Sequence, residues 1–175
     1  MQILAISGSA RANSTNTALL RAVAEIARPR HDVIVFASLA DLPVFSPDLE
    51  AAALALGVQR LVDAISACDC MIISSPEYIR AIPGGLKNAI DWLVSRQEII
   101  GKPIALIHAS HRGDEMLTQL RLVLSTVSHN FLPDLFLRFN LMALSPGEIS
   151  DFMAKPPNRN AVLEFLQTLT NHCAD

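Results

Sequence analysis

Residues 2–20, QILAISGSARANSTNTALL, decide the fold of this chain. The apolar run Gln2–Ser7 predicts a buried strand, and the amphipathic spacing from about Ser14 to Ala27 predicts a helix directly after it. Gly8 permits a tight exit from the strand. Residues suited to capping a helix follow at Ser14, Thr15 and Asn16. The stretch therefore predicts one strand–loop–helix unit with a polar loop between its two elements.

The same alternation continues along the chain and is typical of a parallel sheet with crossover helices. Further strands are predicted at His31–Ala37, Cys68–Ser74, Pro103–Ala109 and Asp134–Phe139. Further helices are predicted at Val58–Ser66, Pro83–Ser95, Glu115–Val127 and Asn158–Thr170. The segment DLPVFSPDLE, residues 41–50, is predicted to be neither helix nor strand, and KPPNR, Lys155–Arg159, a short polar turn.

Five strand–helix units in 175 residues predict an α/β, flavodoxin-like three-layer sandwich. Its five-stranded parallel sheet would have the order 2-1-3-4-5, with helices on both faces, and we expect one domain over residues 1–175. Ligands in such sheets bind beyond the carboxyl ends of the strands, between strands 1 and 3 for this order. The loops after Ser7 and Ser74 should therefore converge, with the loop after Ala109 alongside.

The composition points to a small-molecule ligand. Apolar residues make up 51% of the chain and charged residues 18%, which argues against disorder. The 14 basic and 17 acidic side chains nearly balance, so no electrostatic footprint for nucleic acid or an anionic membrane is present. The N-terminus has no basic region, and its apolar run is too short for a secretory or membrane segment, so we expect a cytoplasmic protein.

The three cysteines do not predict a metal site. Cys68 and Cys70 form a C-x-C pair without further cysteine or histidine at the spacing of zinc ligands. In a strand, these two side chains would share one face. We interpret them as small buried residues in preference to a redox pair.

The first loop has the composition of an anion site. The N-terminus of a helix exposes unpaired N–H groups, and Arg11 adds a charged, forked donor. The loop lacks the lysine and spacing of GxxxxGK[ST] and does not match GxGxxG, which leaves a monophosphate as the better ligand. The alternative is an ordinary capped helix with a surface arginine. Additional polar side chains come from Ser9, Ser14, Asn16 and Thr17.

The second loop, SPEYIRAIPGG (residues 75–85), combines rigid and polar elements. Pro83 and the two glycines after it would fix the backbone path into the next helix. An extended loop held in this way presents N–H and C=O groups in fixed directions, as recognition of a planar heterocycle requires. Tyr78, the one tyrosine of the chain, is predicted to be exposed for stacking or an interface. Packing within the loop is the alternative for Tyr78.

GSARANSTN together with SPEYIRAIPGGLKNAIDW resembles the NADPH-dependent FMN reductase family of flavodoxin-like quinone, azo-dye and chromate reductases. The family patterns run GSxRxxSxN and PEYNxxxPGxLKNAIDW, and the loop after the second strand is also similar. The resemblance covers Met1 to about Ala109. It implies that FMN is the cofactor and that NADPH or NADH is the co-substrate.

Carried over position by position, the resemblance implies a set of cofactor-binding residues. The FMN phosphate would lie against Ser9, Arg11, Ser14, Thr15, Asn16 and Thr17. The isoalloxazine ring would lie against Pro76, Glu77, Tyr78, Ile79 and Arg80, largely through backbone groups, with Ser110 and His111 nearby. On the next helix, Lys87, Asn88 and Asp91 would hold the loop and Trp92 would form an interface.

Two departures from the family pattern stand out. Ile79 replaces the usual asparagine, which removes a side-chain amide but leaves the backbone N–H. The loop after strand 4, Ser110-His111-Arg112-Gly113, is not glycine-rich, which puts the nicotinamide and acceptor pocket in doubt. Arg80 and Arg112 are candidates for tuning the flavin or binding the NADPH 2′-phosphate, and His111 for proton delivery; solvated loop side chains are the alternative.

The resemblance implies an enzyme in which the flavin carries the chemistry, so no catalytic side chain or metal is expected. Hydride would pass from NAD(P)H through FMN to free flavin, a quinone or a similar small acceptor in a ping-pong mechanism. The alternatives are a flavodoxin-type electron carrier without a nicotinamide site and a cofactor-poor regulatory relative. Homodimers or homotetramers are implied, with neither nucleic acid nor membrane as a partner.

Overall fold

A computed structural model describes residues 1–11, 13–50 and 53–173, and a five-stranded sheet forms its centre. All neighbouring strands pair in parallel, in the order β2-β1-β3-β4-β5. The fold class and strand order predicted from the sequence are confirmed. The strands are β1 (Gln2–Ser7), β2 (Asp32–Phe36), β3 (Cys70–Ser74), β4 (Ile104–His108) and β5 (Phe131–Arg138).

Helices cover both faces of the sheet. One face packs against α1 (Thr15–Ala27), α6 (Pro146–Ala154) and α7 (Pro156–Asn171). The other packs against α3 (Leu56–Ala67), α4 (Gly84–Asp91) and α5 (Asp114–Val127). Because β3 and β4 are covered on both sides, every residue in them is buried, and their sequences are continuous apolar runs without polar alternation.

The two neighbouring cysteines lie in different parts of the core, so the prediction that they share one face is wrong. Cys68 directly follows α3 and packs in the core between the sheet and α3, α4 and α5. Cys70 begins β3 and packs in the core on the other face, with α1 and α7. The strand begins two residues later than predicted because α3 continues to Ala67. Both thiols are buried, as expected.

The C-terminal third departs most from the sequence prediction. Helix α6 was not predicted, although Ser145 and Glu148 form a capping box at its start. KPPNR is not a turn: α6 ends at Ala154, and the two prolines occupy the first turn of α7, where no backbone N–H is required.

Smaller corrections concern three element boundaries. The segment DLPVFSPDLE contains the end of a 3₁₀ turn, Leu39–Asp41, and the short helix α2 (Pro47–Glu50). Strand β5 starts at Phe131 and includes Pro133, which an edge strand tolerates because one of its sides forms no ladder. Helix α4 ends at Asp91, four residues earlier than predicted, and a turn follows.

Trp92 belongs to the core, so its predicted interface role is wrong. Its side chain is 1% exposed. Its Nε1 donates to the carbonyl of Pro43 at 2.8 Å, and its ring lies edge-on to Phe45 at 5.3 Å between centroids. Asn88 donates to the same carbonyl and accepts from the amide of Phe45 at 2.8 Å. Asn88, predicted to hold the second loop, thus binds the segment after β2 together with Trp92, and Lys87 and Asp91 pair with each other.

Over the described ranges, we find no helix with the length and apolar character that crossing a membrane requires.

Candidate functional site

The first and second loops converge at the carboxyl ends of β1 and β3, as the strand order predicts. The amide of Gly8 donates to the carbonyl of Ser74 at 2.7 Å. A Cβ at Gly8 would lie 2.6 Å from Ser75 Oγ and 2.9 Å from Leu86 Cδ2. Glycine is therefore required here because the two loops approach closely. Beyond this contact lies a cleft of about 340 Å³. It is bordered by the first loop, which follows β1, the second loop, which follows β3, and the third loop, which follows β4.

The first loop lines the cleft with the start of α1. Ser14 caps this helix by accepting from the amide of Thr17 at 3.3 Å. Helix geometry leaves the amides of Thr15 and Asn16 without intrahelical acceptors, and both residues border the cleft. Arg11 lies on the same wall and adds a full positive charge. These donors together suit a phosphate group. From this loop the structure brings together Ser9, Arg11, Ser14, Thr15 and Asn16.

Two hydrogen bonds beneath the first loop fix α1 to the sheet. Ser74 Oγ donates to Asn16 Oδ1 at 2.9 Å, and the hydroxyls of Ser7 and Thr17 lie 2.8 Å apart. Thr17 is buried and lies outside the cleft lining. The structure therefore places the Thr17 hydroxyl at the base of the loop. It does not border the cleft, where the predicted phosphate contact would require it.

The second loop folds back as a tight turn at its tip. The amides and carbonyls of Tyr78 and Ala81 bond reciprocally at 3.2 and 3.0 Å. The two residues between them, Ile79 and Arg80, have φ values of 51° and 57°. This pattern is that of a type I′ turn, which favours glycine and asparagine because both central residues are left-handed.

The turn sorts the predicted residues of the second loop into two groups. Pro76, Glu77 and Tyr78 line the cleft, and Tyr78 is 47% exposed, as the sequence predicts. The side chain of Ile79 is completely exposed at the turn tip, outside the lining. Arg80 is also outside the lining and lies 3.9 Å from Glu115. The replacement of asparagine by isoleucine therefore changes the tip and leaves the lining side chains intact.

Replacing Ile79 with glycine is expected to stabilise the protein. A β-branched residue in the left-handed region costs about 1–2 kcal/mol, and glycine removes most of this cost at the expense of some chain entropy. The exposed side chain loses no packing. We expect a gain of about 1 kcal/mol, seen as a rise of about 2–4 °C in Tm. Ile79→Val, which keeps the branched Cβ, is the control, and an equal Tm for Ile79→Gly would contradict the strain.

The third loop begins at a buried histidine that the sequence analysis missed. His108 ends β4, is 2% exposed and lines the cleft. Its Nε2 lies 2.5 Å from the carbonyl oxygen of Arg112. Burial lowers the pKa of His108, although the backbone groups of Arg112 and Ser75 that face the ring act in the opposite direction. The available signal was its position, as the last residue of a buried strand at the carboxyl edge.

Other residues of the third loop divide in the same way. Ser110 and Arg112 line the cleft, as predicted. Three further lining residues were not predicted: Ala109, Gly113 and Met142. His111 is outside the lining. Its Nδ1 lies 3.2 Å from Asn140 Oδ1, and its Nε2 accepts from Arg112 Nε at 3.2 Å. His111 thus holds the Arg112 side chain by a hydrogen bond and does not itself border the cleft.

A second depression, of about 590 Å³, lies at the opposite end of the sheet around Met1, Arg28 and Asp69. It is wide and open, and it surrounds the amino ends of the strands. Ligands of open parallel sheets bind at the carboxyl ends. The cleft between the three loops is therefore the candidate site.

Several known proteins are similar to this chain. The model of the NADPH-dependent FMN reductase family matches residues 1–140. A quinone reductase of Escherichia coli (strain K12) is 36% identical over 116 residues, which cover 65% of this chain and 61% of that protein. The NAD(P)H-dependent FMN reductase PA1204 of Pseudomonas aeruginosa is 36% identical over 113 residues, covering 63% and 60%. The chain therefore spans about three fifths of the length of these curated relatives.

Solved structures show the same fold over nearly the whole chain. FerB, a flavoenzyme NAD(P)H:(acceptor) oxidoreductase from Paracoccus denitrificans, has a TM-score of 0.75 at 26% identity, covering 98% of each chain. An FMN-dependent NADH-azoreductase from Bacillus anthracis, solved with FMN, has a TM-score of 0.57 at 12% identity, covering 99% of this chain and 100% of that one.

Proposed function

We propose, from the premise that this chain belongs to the NADPH-dependent FMN reductase family, that it is an FMN-dependent NAD(P)H oxidoreductase. Reducing equivalents would pass from NADH or NADPH to free flavin, a quinone or a similar small acceptor. One observation carries the proposal. The start of α1, which suits a phosphate, borders the same cleft as the polar second and third loops. The names of the relatives support the same reaction class.

The residues that border the cleft fit FMN in two parts. The amides of Thr15 and Asn16 and the guanidinium of Arg11 would hold the phosphate. The backbone of Pro76–Tyr78 would lie against the flat ring, beside the third loop. The cleft volume of about 340 Å³ lies within the range of small-molecule sites. FMN, when bound, supplies hydride acceptance from nicotinamide and donation to the acceptor.

The chain's own part in this reaction is binding and electrostatics. Arg112 lines the cleft, and its positive charge would favour an anionic partner such as the reduced ring or the 2′-phosphate of NADPH. Arg80 is less suited to this role because it faces Glu115 outside the lining. His108 is buried beside the third loop, and this burial lowers its pKa, which disfavours an added positive charge beside the ring.

Steady-state kinetics test the proposed activity. The FMN-loaded protein should oxidise NADH or NADPH rapidly only when a quinone or free flavin is added. Varying both substrates should give the parallel double-reciprocal lines of a ping-pong mechanism, since both use the same face of the cleft in turn. FMN binding without acceptor-dependent oxidation of either nicotinamide would reject the enzyme and favour an electron carrier.

We also propose a homodimer or homotetramer assembled through the surface beside α4. Three exposed apolar side chains lie there, Val44, Leu49 and Val94, which are 82%, 45% and 67% exposed. The Trp92–Pro43 and Ser95–Glu50 hydrogen bonds bring their segments together. An exposed apolar cluster of this kind is typical of an interface.

A cytoplasmic location and a single domain over residues 1–175 remain part of the proposal.

The assembly is tested by sedimentation of a charged variant. Val94→Asp would bury an unpaired carboxylate in the interface, so we expect it to shift the oligomer towards monomer at micromolar concentration. Leu122→Asp is the matched control, because Leu122 is 71% exposed on α5. Equal sedimentation of the wild type and both variants would place the interface elsewhere.

A further inference from the structure

The first turn of α5 is capped by a residue from another loop. Its N-cap position is Gly113, which has no side chain with which to accept from the first-turn amides. Glu77, in the second loop, provides the acceptor: its Oε2 lies 3.1 Å from the amide of Met116. The carboxylate also lies at the positive end of the helix dipole. The second loop is therefore bonded to the element that follows the third loop.

His108 explains why the N-cap is a glycine. A Cβ at Gly113 would lie 2.8 Å from His108 Nε2, and the φ of Gly113 is 104°, a conformation that other residues rarely adopt. The same Nε2 contacts the carbonyl of Arg112. The histidine thus fixes the path of the third loop and at the same time excludes a side chain that would cap α5. The cap has to come from elsewhere, and Glu77 supplies it.

A second contact between α5 and the second loop acts in the same direction. Gln119 Nε2 donates to the carbonyl of Arg80 at 2.9 Å. Arg80 is one of the two left-handed residues at the turn tip. The helix therefore holds the second loop near the cleft through Glu77 and near its tip through Arg80.

We propose that Glu77 and His108 are positioning residues that hold the second and third loops as one preformed wall of the cleft. Both side chains border the cleft, yet each has its polar atom bonded to backbone of the wall itself. A wall fixed before binding lowers the ordering cost that a ligand meets. The consequence for FMN rests on the proposed function, whereas the mechanical connection does not.

FMN titration of matched variants tests the consequence for binding. Glu77→Ala and His108→Ala should each weaken FMN binding about 10-fold, because each removes one attachment of the wall. Glu77→Gln keeps an acceptor oxygen, and His108→Gln keeps an N–H near the position of Nε2, so both should stay within about threefold of the wild type. Glu164→Ala is the control for charge, since Glu164 is exposed on α7 and outside the lining.

The double variant distinguishes one wall from two independent contacts. If the loops act as a unit, the Glu77→Ala/His108→Ala protein should bind FMN about as weakly as either single variant, well short of the roughly 100-fold that independent losses would give. The titrations are done where circular dichroism shows every variant fully folded. Should His108→Ala not fold, Glu77→Ala and the two glutamine variants still decide the result.

Hydrogen exchange of the FMN-free protein tests the connection without any ligand. Glu77→Ala should accelerate exchange in residues 114–117 and also in residues 76–81, whereas Glu77→Gln should restore the wild-type rates. Unchanged exchange in either segment, or wild-type FMN affinity in both alanine variants, would overturn the proposal. If the wild-type protein binds no FMN but the exchange result holds, the wall stands and the proposed function fails.

Discussion

Replacing Arg11 with alanine is expected to weaken FMN binding by about 10- to 150-fold. The first loop has one arginine beside the helix start, where a nucleotide-binding loop of the GxxxxGK[ST] type would have a lysine and more glycines. A charge-assisted hydrogen bond contributes about 1.5–3 kcal/mol, which corresponds to this change in Kd. Flavin fluorescence, which changes on binding, gives the titration. The turnover of saturated enzyme should change much less.

Arg21→Ala is the matched control for this variant. Arg21 lies on α1, is exposed and is outside the cleft lining, so its loss changes the net charge equally without touching the site. We expect less than a twofold effect on FMN affinity, since exposed charges at a distance are screened by salt. An Arg11→Ala protein with wild-type affinity would show that the phosphate binds elsewhere.

Replacing Trp92 with alanine is expected to lower the free energy of unfolding by about 3–5 kcal/mol. The ring is fully buried, so its removal leaves a large cavity between α4 and the segment after β2. Urea unfolding followed by circular dichroism gives the measurement, because Trp92 is the one tryptophan and its fluorescence is lost in the variant. The midpoint should fall while the m-value stays near that of the wild type.

Trp92→Phe separates packing from hydrogen bonding. Phenylalanine keeps most of the buried area and removes the donor to Pro43. The carbonyl of Pro43 keeps a partner in Asn88 Nδ2 at 2.9 Å, so we expect a loss of only about 1 kcal/mol. A Trp92→Ala protein of wild-type stability would contradict the place of Trp92 in the core.

The parallel sheet was predictable because its signals are local and strong. Strands buried on both faces appear as continuous apolar runs, as Cys70–Ser74 and Ile104–His108 show. Strand order then follows from the limited ways of winding five such units. The C-terminal region failed for the opposite reason: α6 is short, and the two prolines of α7 indicate a turn unless their place in a first helical turn is considered.

The residues that border the cleft were predictable in loops that directly follow strands. They were not predictable where a tight turn sets the direction of a side chain. Arg11, Tyr78 and Ser110 lie in loops that the topology brings together, and all three border the cleft. Ile79 was placed with Tyr78 because they are neighbours, but the left-handed turn directs its side chain to solvent. Met142 lies beyond β5, in a region where no motif marks a ligand contact.

His108 shows a different limit of sequence reasoning. A single histidine at the end of an apolar strand is compatible with any buried position, and nothing in its neighbours reveals that it excludes a Cβ at Gly113. That relation, and the cap supplied by Glu77, depend on distances between three separate segments. Such contacts carry no periodicity or spacing, so they become visible only in three dimensions.

The most direct test of the central claim is the visible spectrum of the purified protein with added FMN, followed by anaerobic titration with NADH and with NADPH. We predict a perturbed flavin spectrum on binding and stoichiometric bleaching by at least one of the two nicotinamides. A free-flavin spectrum at protein concentrations above those of FMN, or bound flavin that neither nicotinamide reduces, would contradict the assignment as an FMN-dependent NAD(P)H oxidoreductase.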